Sequence, residues 1–234
     1  MTRLLIHVEG ETEESFVNEL VAPHLYGQGL FTHVSARLIG NARQRERRGG
    51  IRAWQAVKRD IIRHLRQDGG AASSTFVDFY ALPATGQGAW PGREQAIDAP
   101  FSTKSALVEQ ALLADIEADL GGTPINGRFI PFVVMHEFEG LLFSSPADFC
   151  RGISRPDLEV QIQGIRDQFG SPEEINDSPQ TAPSKRIEAL VPGYQKPLYG
   201  TLAALEIGLM PMRAACPLFD RWMARLEAWG RERR

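Results

Sequence analysis

The sequence predicts an α/β fold: a mainly parallel sheet flanked by helices, with a helical C-terminal region. Two patterns carry that expectation. The first half alternates short apolar runs with amphipathic stretches in the βαβ manner. Beyond residue 135 only helical periodicity remains, punctuated by Pro and Gly. A third observation concerns chemistry, because several apolar runs end in acid. Leu4-Leu5-Ile6-His7-Val8 runs into Glu9-Gly10-Glu11-Thr12-Glu13-Glu14, and Thr75-Phe76-Val77 runs into Asp78-Phe79-Tyr80. Phe129-Ile130-Pro131-Phe132-Val133-Val134-Met135 runs into His136-Glu137-Phe138-Glu139. Parallel strands share a carboxyl edge, where open α/β sheets bind ligands. Carboxylates meeting there repel one another unless a divalent cation neutralises them, which points to magnesium chemistry on phosphates.

In chain order, a strand is expected over residues 3-8. A helix then begins at Thr12 or Glu13, with Phe16, Val17, Leu20 and Val21 at helical spacing. A weakly alternating strand covers 32-39. Gly49-Gly50 breaks the chain before a helix from 51 to 66, with Ile51, Trp54, Val57, Ile61 and Leu65 on its apolar side. The third strand is expected over 75-81. Residues 83-102, rich in Pro, Gly and Ala, form a long connection with Trp90 and Phe101 exposed or loosely packed. A helix over 103-120 and a strand over 128-135 complete an α/β core assigned to residues 1-145. The remaining 146-234 are read as a helical region packed on that core, with helices over 156-169, 183-190, 197-208 and 217-231; a helix over 137-143 leads into it.

The composition narrows the function classes. A hydrophobic content of 43% and a charged content of 24% are those of an ordinary globular protein. A net charge of -3 gives no whole-chain case for nucleic-acid binding, so any such case is local. Cys150 and Cys216 are too few for a disulfide framework or a cysteine zinc site. They fit a reducing compartment. No apolar run nears the roughly 18 residues of a spanning helix, and the N-terminal run is too short for a secretory signal. A cytoplasmic protein with no membrane partner is the expectation.

Glu9-Gly10 lies at a strand-to-helix turn, with Gly10 read as allowing a tight backbone path. Taken alone, such a turn is most often capping and solvation. Glu11 and Glu14 are read as solvated first-turn acids, whereas Glu13 faces the same edge as Glu9. Asp78 is costly to bury unpaired and so faces water, a basic partner or a metal. Tyr80 is weighed as a nucleophile against the commoner role of a packing aromatic. His136 is open between metal ligand, base and helix-start contact. Glu137 and Glu139 share a face if the strand continues and diverge if a helix starts at once.

From Arg43 to Arg66 the basic residues are Arg43, Arg45, Arg47, Arg48, Arg52, Lys58, Arg59, Arg63 and Arg66, opposed only by Glu46 and Asp60. That local patch suits phosphate backbones. A solvated helix face or a contact with an acidic partner explains it equally well. Lys185, Arg186 and Lys196 add basic groups in the helical half.

The order Glu-Gly after the first strand, Asp-x-Tyr after the third, and a later acidic cluster resembles the Toprim domain. Glu9-Gly10-Glu11-Thr12-Glu13 is closest to the branch found in overcoming-lysogenization-defect (OLD) nucleases. More closely, the chain resembles the bacterial domain-of-unknown-function family 4276, itself Toprim-like. That likeness rests on Val8-Glu9-Gly10-Glu11-Thr12-Glu13, Asp78-Phe79-Tyr80 and His136-Glu137-Phe138-Glu139-Gly140-Leu141-Leu142-Phe143. It continues through Ala182-Pro183-Ser184-Lys185-Arg186, Tyr194-Gln195-Lys196 and Cys216-Pro217-Leu218-Phe219. The resemblance implies a nuclease acting on DNA or RNA, with Glu9 as general acid or base. Glu13, Asp78 and Glu137 or Glu139 would hold Mg²⁺ or Mn²⁺. Arg43, Arg45, Arg47, Arg48, Arg52, Arg59, Lys185 and Arg186 are assigned to the nucleic acid, with His136, Tyr80 and Lys196 auxiliary. The usual Toprim Asp-x-Asp is here Asp78-x-Tyr80, so the 136-139 cluster must supply the missing charge. An ABC-type or AAA-type ATPase in anti-phage defence is the implied partner, since this sequence carries no P-loop. Homo-oligomerisation is left open. The rival readings are a non-catalytic subunit that binds and regulates an ATPase, and a small nucleotide phosphohydrolase.

Overall fold

The computed structural model describes residues 2–39, 51–121, 125, 127–175 and 180–233. Its centre is a five-stranded sheet of β1 (Arg3–Val8), β2 (His33–Leu38), β3 (Ala71–Asp78), β4 (Phe129–Ile130) and β5 (Val133–Val134). The order is β2-β1-β3-β4, with β5 also on β3, and every pairing is parallel. Parallel sheets are covered on both faces. Accordingly Leu4, Ile6 and Val8 are buried on one face of β1 while His7 is buried on the other.

The face of Ile6 and Phe76 meets α1 (Glu11–Phe16) and α11 (Pro217–Arg231). Phe16 stacks on Phe76 at 5.5 Å, Trp222 lies 5.2 Å from Phe76, and the Trp222 indole N–H donates to Ser74 Oγ at 3.0 Å. The opposite face meets α3 (Trp54–Gln67) and α4 (Phe101–Asp119). Between β1 and β2, α1 continues through a widened turn, Val17–Val21, into α2 (Ala22–Gly27). Trp54, Val57, Ile61 and Leu65 recur at helical spacing and are all buried, which is why this segment is a helix on the sheet. Lys58, counted above with the basic run, is also buried. It joins α3 to α4 through Asp115 and Asp119, each at 2.9 Å.

β3 starts earlier than expected and ends at Asp78. Ala71-Ala72-Ser73-Ser74 lacks the bulky residues that mark strands in a sequence, yet all four are buried beneath the helices. The single strand expected over 128-135 is two short ones. Pro131 has no N–H for the ladder, and Thr75 Oγ1 steps in, accepting from Phe132 N at 3.1 Å and donating to Phe132 O at 3.0 Å.

Trp90 corrects the reading of 83-102 as loosely packed, being only 1% exposed. Its ring lies 5.0 Å from that of Trp54 and its N–H donates to Arg52 O at 2.9 Å, so the connection is pinned to α3. Phe101 is half-buried, 6.0 Å from the ring of His136.

The second half folds as α5 (Phe138–Leu141), α6 (Pro146–Gly152), α7 (Glu159–Arg166), α8 (Pro183–Leu190), α9 (Thr201–Ile207), α10 (Leu209–Ala215) and α11. The sequence reading missed α6 and α10, each a single short segment between prolines and glycines. Gly152 lets α6 press on α9, because a Cβ there would lie 2.7 Å from Ala203 Cα. Buried Glu173 caps α11, accepting from Leu218 N at 2.8 Å and Phe219 N at 2.9 Å. One apolar cluster runs from Leu4 through Phe132 to Trp229, so residues 1-145 and 146-234 share a core. Both cysteines are buried thiols. No helix among the described residues is long and apolar enough to cross a membrane.

Candidate active site

The strand order reverses between β1 and β3: the chain leaves β1 towards β2, then crosses to the other side. Such a switch point opens a crevice at the carboxyl ends of the strands. Glu9 directly follows β1 and Asp78 ends β3 at that crevice. The Met135-His136 peptide, just beyond β5, is cis.

Glu13 reaches the same place from the first turn of α1. Gly10 serves it by space rather than by an unusual backbone, since its φ of -140° is ordinary extended geometry. A Cβ at Gly10 would lie 2.9 Å from Glu13 Oε2. Asp78 Oδ1 accepts from Phe138 N at 2.9 Å, tying β3 to the start of α5. Because α5 begins at Phe138, Glu137 and Glu139 diverge. Glu139 is 2% exposed and its Oε2 accepts from Lys196 Nζ at 3.0 Å. Glu137 Oε2 instead accepts from Ser184 N at 3.0 Å and caps α8.

Glu9, Glu13, Asp78, Glu139 and Lys196 thus form one electrostatic unit. Burial pushes Glu9 up to about 7; the Glu13 charge adds to this, while Lys196 and the Asp78 backbone N–H oppose it. Glu13 is raised, again by burial, against Lys196 and the backbone N–H groups of Glu13 and Gly10. Asp78 stands well above the usual carboxylate range through burial and the charges of Glu9, Glu13 and Glu139. Glu139 is pushed up to about 7 by burial despite its Lys196 partner. Lys196 is raised because Glu139, Asp78 and Glu137 outweigh its own desolvation. Glu9 Oε2 is enclosed with no hydrogen-bond partner. Four carboxylates facing one ammonium leave negative charge that protons or a cation must balance.

Hard carboxylate oxygens of this kind suit Mg²⁺ or Mn²⁺, and the orphaned Glu9 oxygen is a donor with nothing to bind. Among the described residues no three His, Cys, Asp or Glu side chains are already set around a common ion position. Glu13, Asp78 and Glu139 are the buried carboxylates closest in charge to Glu9, which feels Glu13 and Glu139. Glu137 is directed to α8.

His136 is buried, 5.9 Å from the ring of Phe79 and 6.0 Å from Phe101. Tyr80 is half-buried and its N–H donates to His136 O at 3.2 Å. Arg59 is exposed on α3, and Arg52 is exposed just before it. Lys185 pairs with Glu188 at 2.6 Å, and Arg186 donates to Thr181 O at 2.8 Å. Arg43, Arg45, Arg47 and Arg48 fall outside the described residues.

Sequence reasoning assigned no role to Tyr194. Its ring stacks on Tyr199 at 5.8 Å, its hydroxyl is enclosed without a hydrogen-bond partner, and burial with the Glu139 charge pushes that hydroxyl up. The spacing Tyr194-x-Lys196 was the available signal, but nothing in the sequence tied it to acids more than fifty residues earlier.

The class this fold defines is an α/β protein with an acidic crevice at the strand switch point. The chain belongs to the family described as Domain of unknown function (DUF4276), whose model matches residues 8–227. Comparison with curated proteins and with solved structures found no match.

Proposed function

We propose that the crevice is the active site of a Toprim-like, metal-dependent nuclease related to OLD-type enzymes, cutting phosphodiester bonds in DNA or RNA. The observation that carries this reading is buried Glu13, Asp78 and Glu139 beside half-buried Glu9, each raised above the ordinary carboxylate range. Burying four acids together costs stability, and a site that binds a cation on phosphate offsets the cost. Mg²⁺ or Mn²⁺ held by Glu13, Asp78 and Glu139 would neutralise charge developing on the phosphate. Glu9, at about 7, is poised to take a proton near neutral pH. It accepts the proton of the attacking water as the new P–O bond forms and the ester P–O bond breaks, and the leaving oxygen takes its proton from solvent. Glu139 holds Lys196 beside the reacting phosphate. Arg52 lies just before α3, whose start meets the same edge.

The cell compartment is proposed as the cytoplasm, and the partner as an ABC-type or AAA-type ATPase in anti-phage defence. One observation favours a second reading, a non-catalytic subunit that regulates such an ATPase. The Lys196 ammonium already sits on Glu139 as a built-in counter-ion.

The test is cleavage of plasmid DNA and of a structured RNA with Mg²⁺ or Mn²⁺. The nuclease reading expects cutting that Glu9→Gln and Asp78→Asn each reduce by 100-fold or more, as removal of a general base does. Equal cutting by parent and variants overturns the site. No cutting with the purified ATPase present favours the regulatory reading.

A further inference from the structure

A second feature lies along the exposed face of α3. Arg59, Ile62, Arg63, Arg66, Gln67 and Asp119 line an open groove of about 440 Å³. α3 runs antiparallel to the strands, so its two ends serve different edges. Its start meets the carboxyl edge, where Trp54 N donates to Gly88 O in the connection after β3. Its end meets the amino edge: Arg128, just before β4, donates to Leu65 O at 2.6 Å, and Arg3 at the start of β1 pairs with Asp68. A 14-residue helix spans about 21 Å. The groove therefore begins about 8 Å along α3 from its start, at Arg59, and ends about 20 Å from it, at Gln67.

Arg59, Arg63 and Arg66 are spaced four and three residues apart and share one exposed face of α3. Their charges are available. Arg59 has no ion-pair partner among the described residues. Arg63, itself exposed, pairs with half-buried Asp60 at 3.0 Å, a surface contact of little worth. Arg66 donates to the Asp119 backbone O at 3.4 Å, while the Asp119 carboxylate is engaged by buried Lys58.

We infer that this groove is a phosphate-backbone exosite that grips a nucleic-acid strand away from the acidic crevice. The inference rests on the nuclease reading and deepens it by giving the nucleic acid a second binding surface. Reaching from the start of α3 to the far end of the groove takes about six base pairs of duplex at 3.4 Å each, more than a free nucleotide spans. A repeating row of guanidiniums suits a polyanion of regular charge spacing better than the scattered carboxylates of a folded acidic protein.

The test is binding in EDTA, where cleavage plays no part, of a fluorescent 30-base-pair DNA and a 30-nucleotide RNA across a salt series. The expected result is tight, salt-sensitive binding by the parent protein. The Arg59→Ala/Arg63→Ala/Arg66→Ala variant should bind at least tenfold more weakly at low salt. Its slope of log affinity against log salt should be shallower by about two to three. The corresponding triple lysine variant keeps the slope, separating lost charge from misfolding. No binding by the parent, an alanine variant within twofold of it, or equal competition by polyglutamate overturns the exosite. Binding that follows this pattern without any cleavage under metal would instead sink the acidic site and leave the groove standing.

Discussion

Lys196 Nζ lies 3.0 Å from Glu139 Oε2, an ion pair between residues 57 positions apart that closes the acidic crevice from the C-terminal half. Glu139 is enclosed while Lys196 is half-buried, so the pair spans the boundary between core and solvent. Removing the ammonium leaves a desolvated carboxylate beside Glu9, Glu13 and Asp78. Lys196→Met is expected to destabilise the fold by about 1–3 kcal/mol at pH 8. Adding Glu139→Gln should restore most of the loss. Urea denaturation of the single and double variants gives the coupling directly, and additive losses would mean the pair contributes nothing.

The acids set a pH dependence whose sign is fixed. Glu9 and Glu139 sit near 7 in the folded chain against about 4.5 unfolded. Between those values the folded state holds more protons, so stability is fully present below about 4.5 and falls as pH rises to 7. His7 acts in another window. Burial, and then the Arg37 charge, hold it down to about 3, so its contribution is lost as pH falls from 6.5 towards 3. Glu9→Gln should therefore raise the melting temperature at pH 8, by an amount corresponding to about 1–3 kcal/mol, and change it little at pH 4. A melting temperature lowered at pH 8 would contradict the assignment.

Gly10 tests the geometry without touching a titrating group. Gly10→Ala brings a Cβ against Glu13 Oε2, and the flexible carboxylate end must move. The fold should survive with less than about 1 kcal/mol lost, while Mn²⁺ affinity by calorimetry should fall about tenfold. Unchanged affinity would remove Glu13 from the ion site.

Thr75 makes the sheet's break at Pro131 tolerable. Thr75→Val keeps the shape but orphans the buried Phe132 N–H, at a cost of about 1–3 kcal/mol. A chemical denaturation curve matching the parent would show that another group takes up that N–H.

Much of the crevice was legible because strand ends and acids are adjacent in sequence. Glu9 and Asp78 follow directly from apolar runs, and parallel pairing brings them together. Glu139 could be separated from Glu137 only once Phe138 was known to start a helix. The early start of β3 was hidden by small residues, and the burial of Trp90 by its Pro- and Gly-rich surroundings. Both are tertiary effects: what buries Ala71 and Trp90 comes from α3 and α4, not from their own neighbours. The arginine run was visible as composition, but only the direction of α3 separates its start from the groove.

Glu13, Asp78 and Glu139 are proposed to hold one divalent ion, with Glu9 beside it as the base. A crystal soaked in Mn²⁺ and measured at the manganese edge tests it most directly. An anomalous peak is expected, bound by oxygens of Asp78, Glu13 and Glu139 with Glu9 beside it, and none in an Asp78→Asn crystal. No manganese in the crevice at saturating concentration, with Lys196 still seated on Glu139, would contradict it.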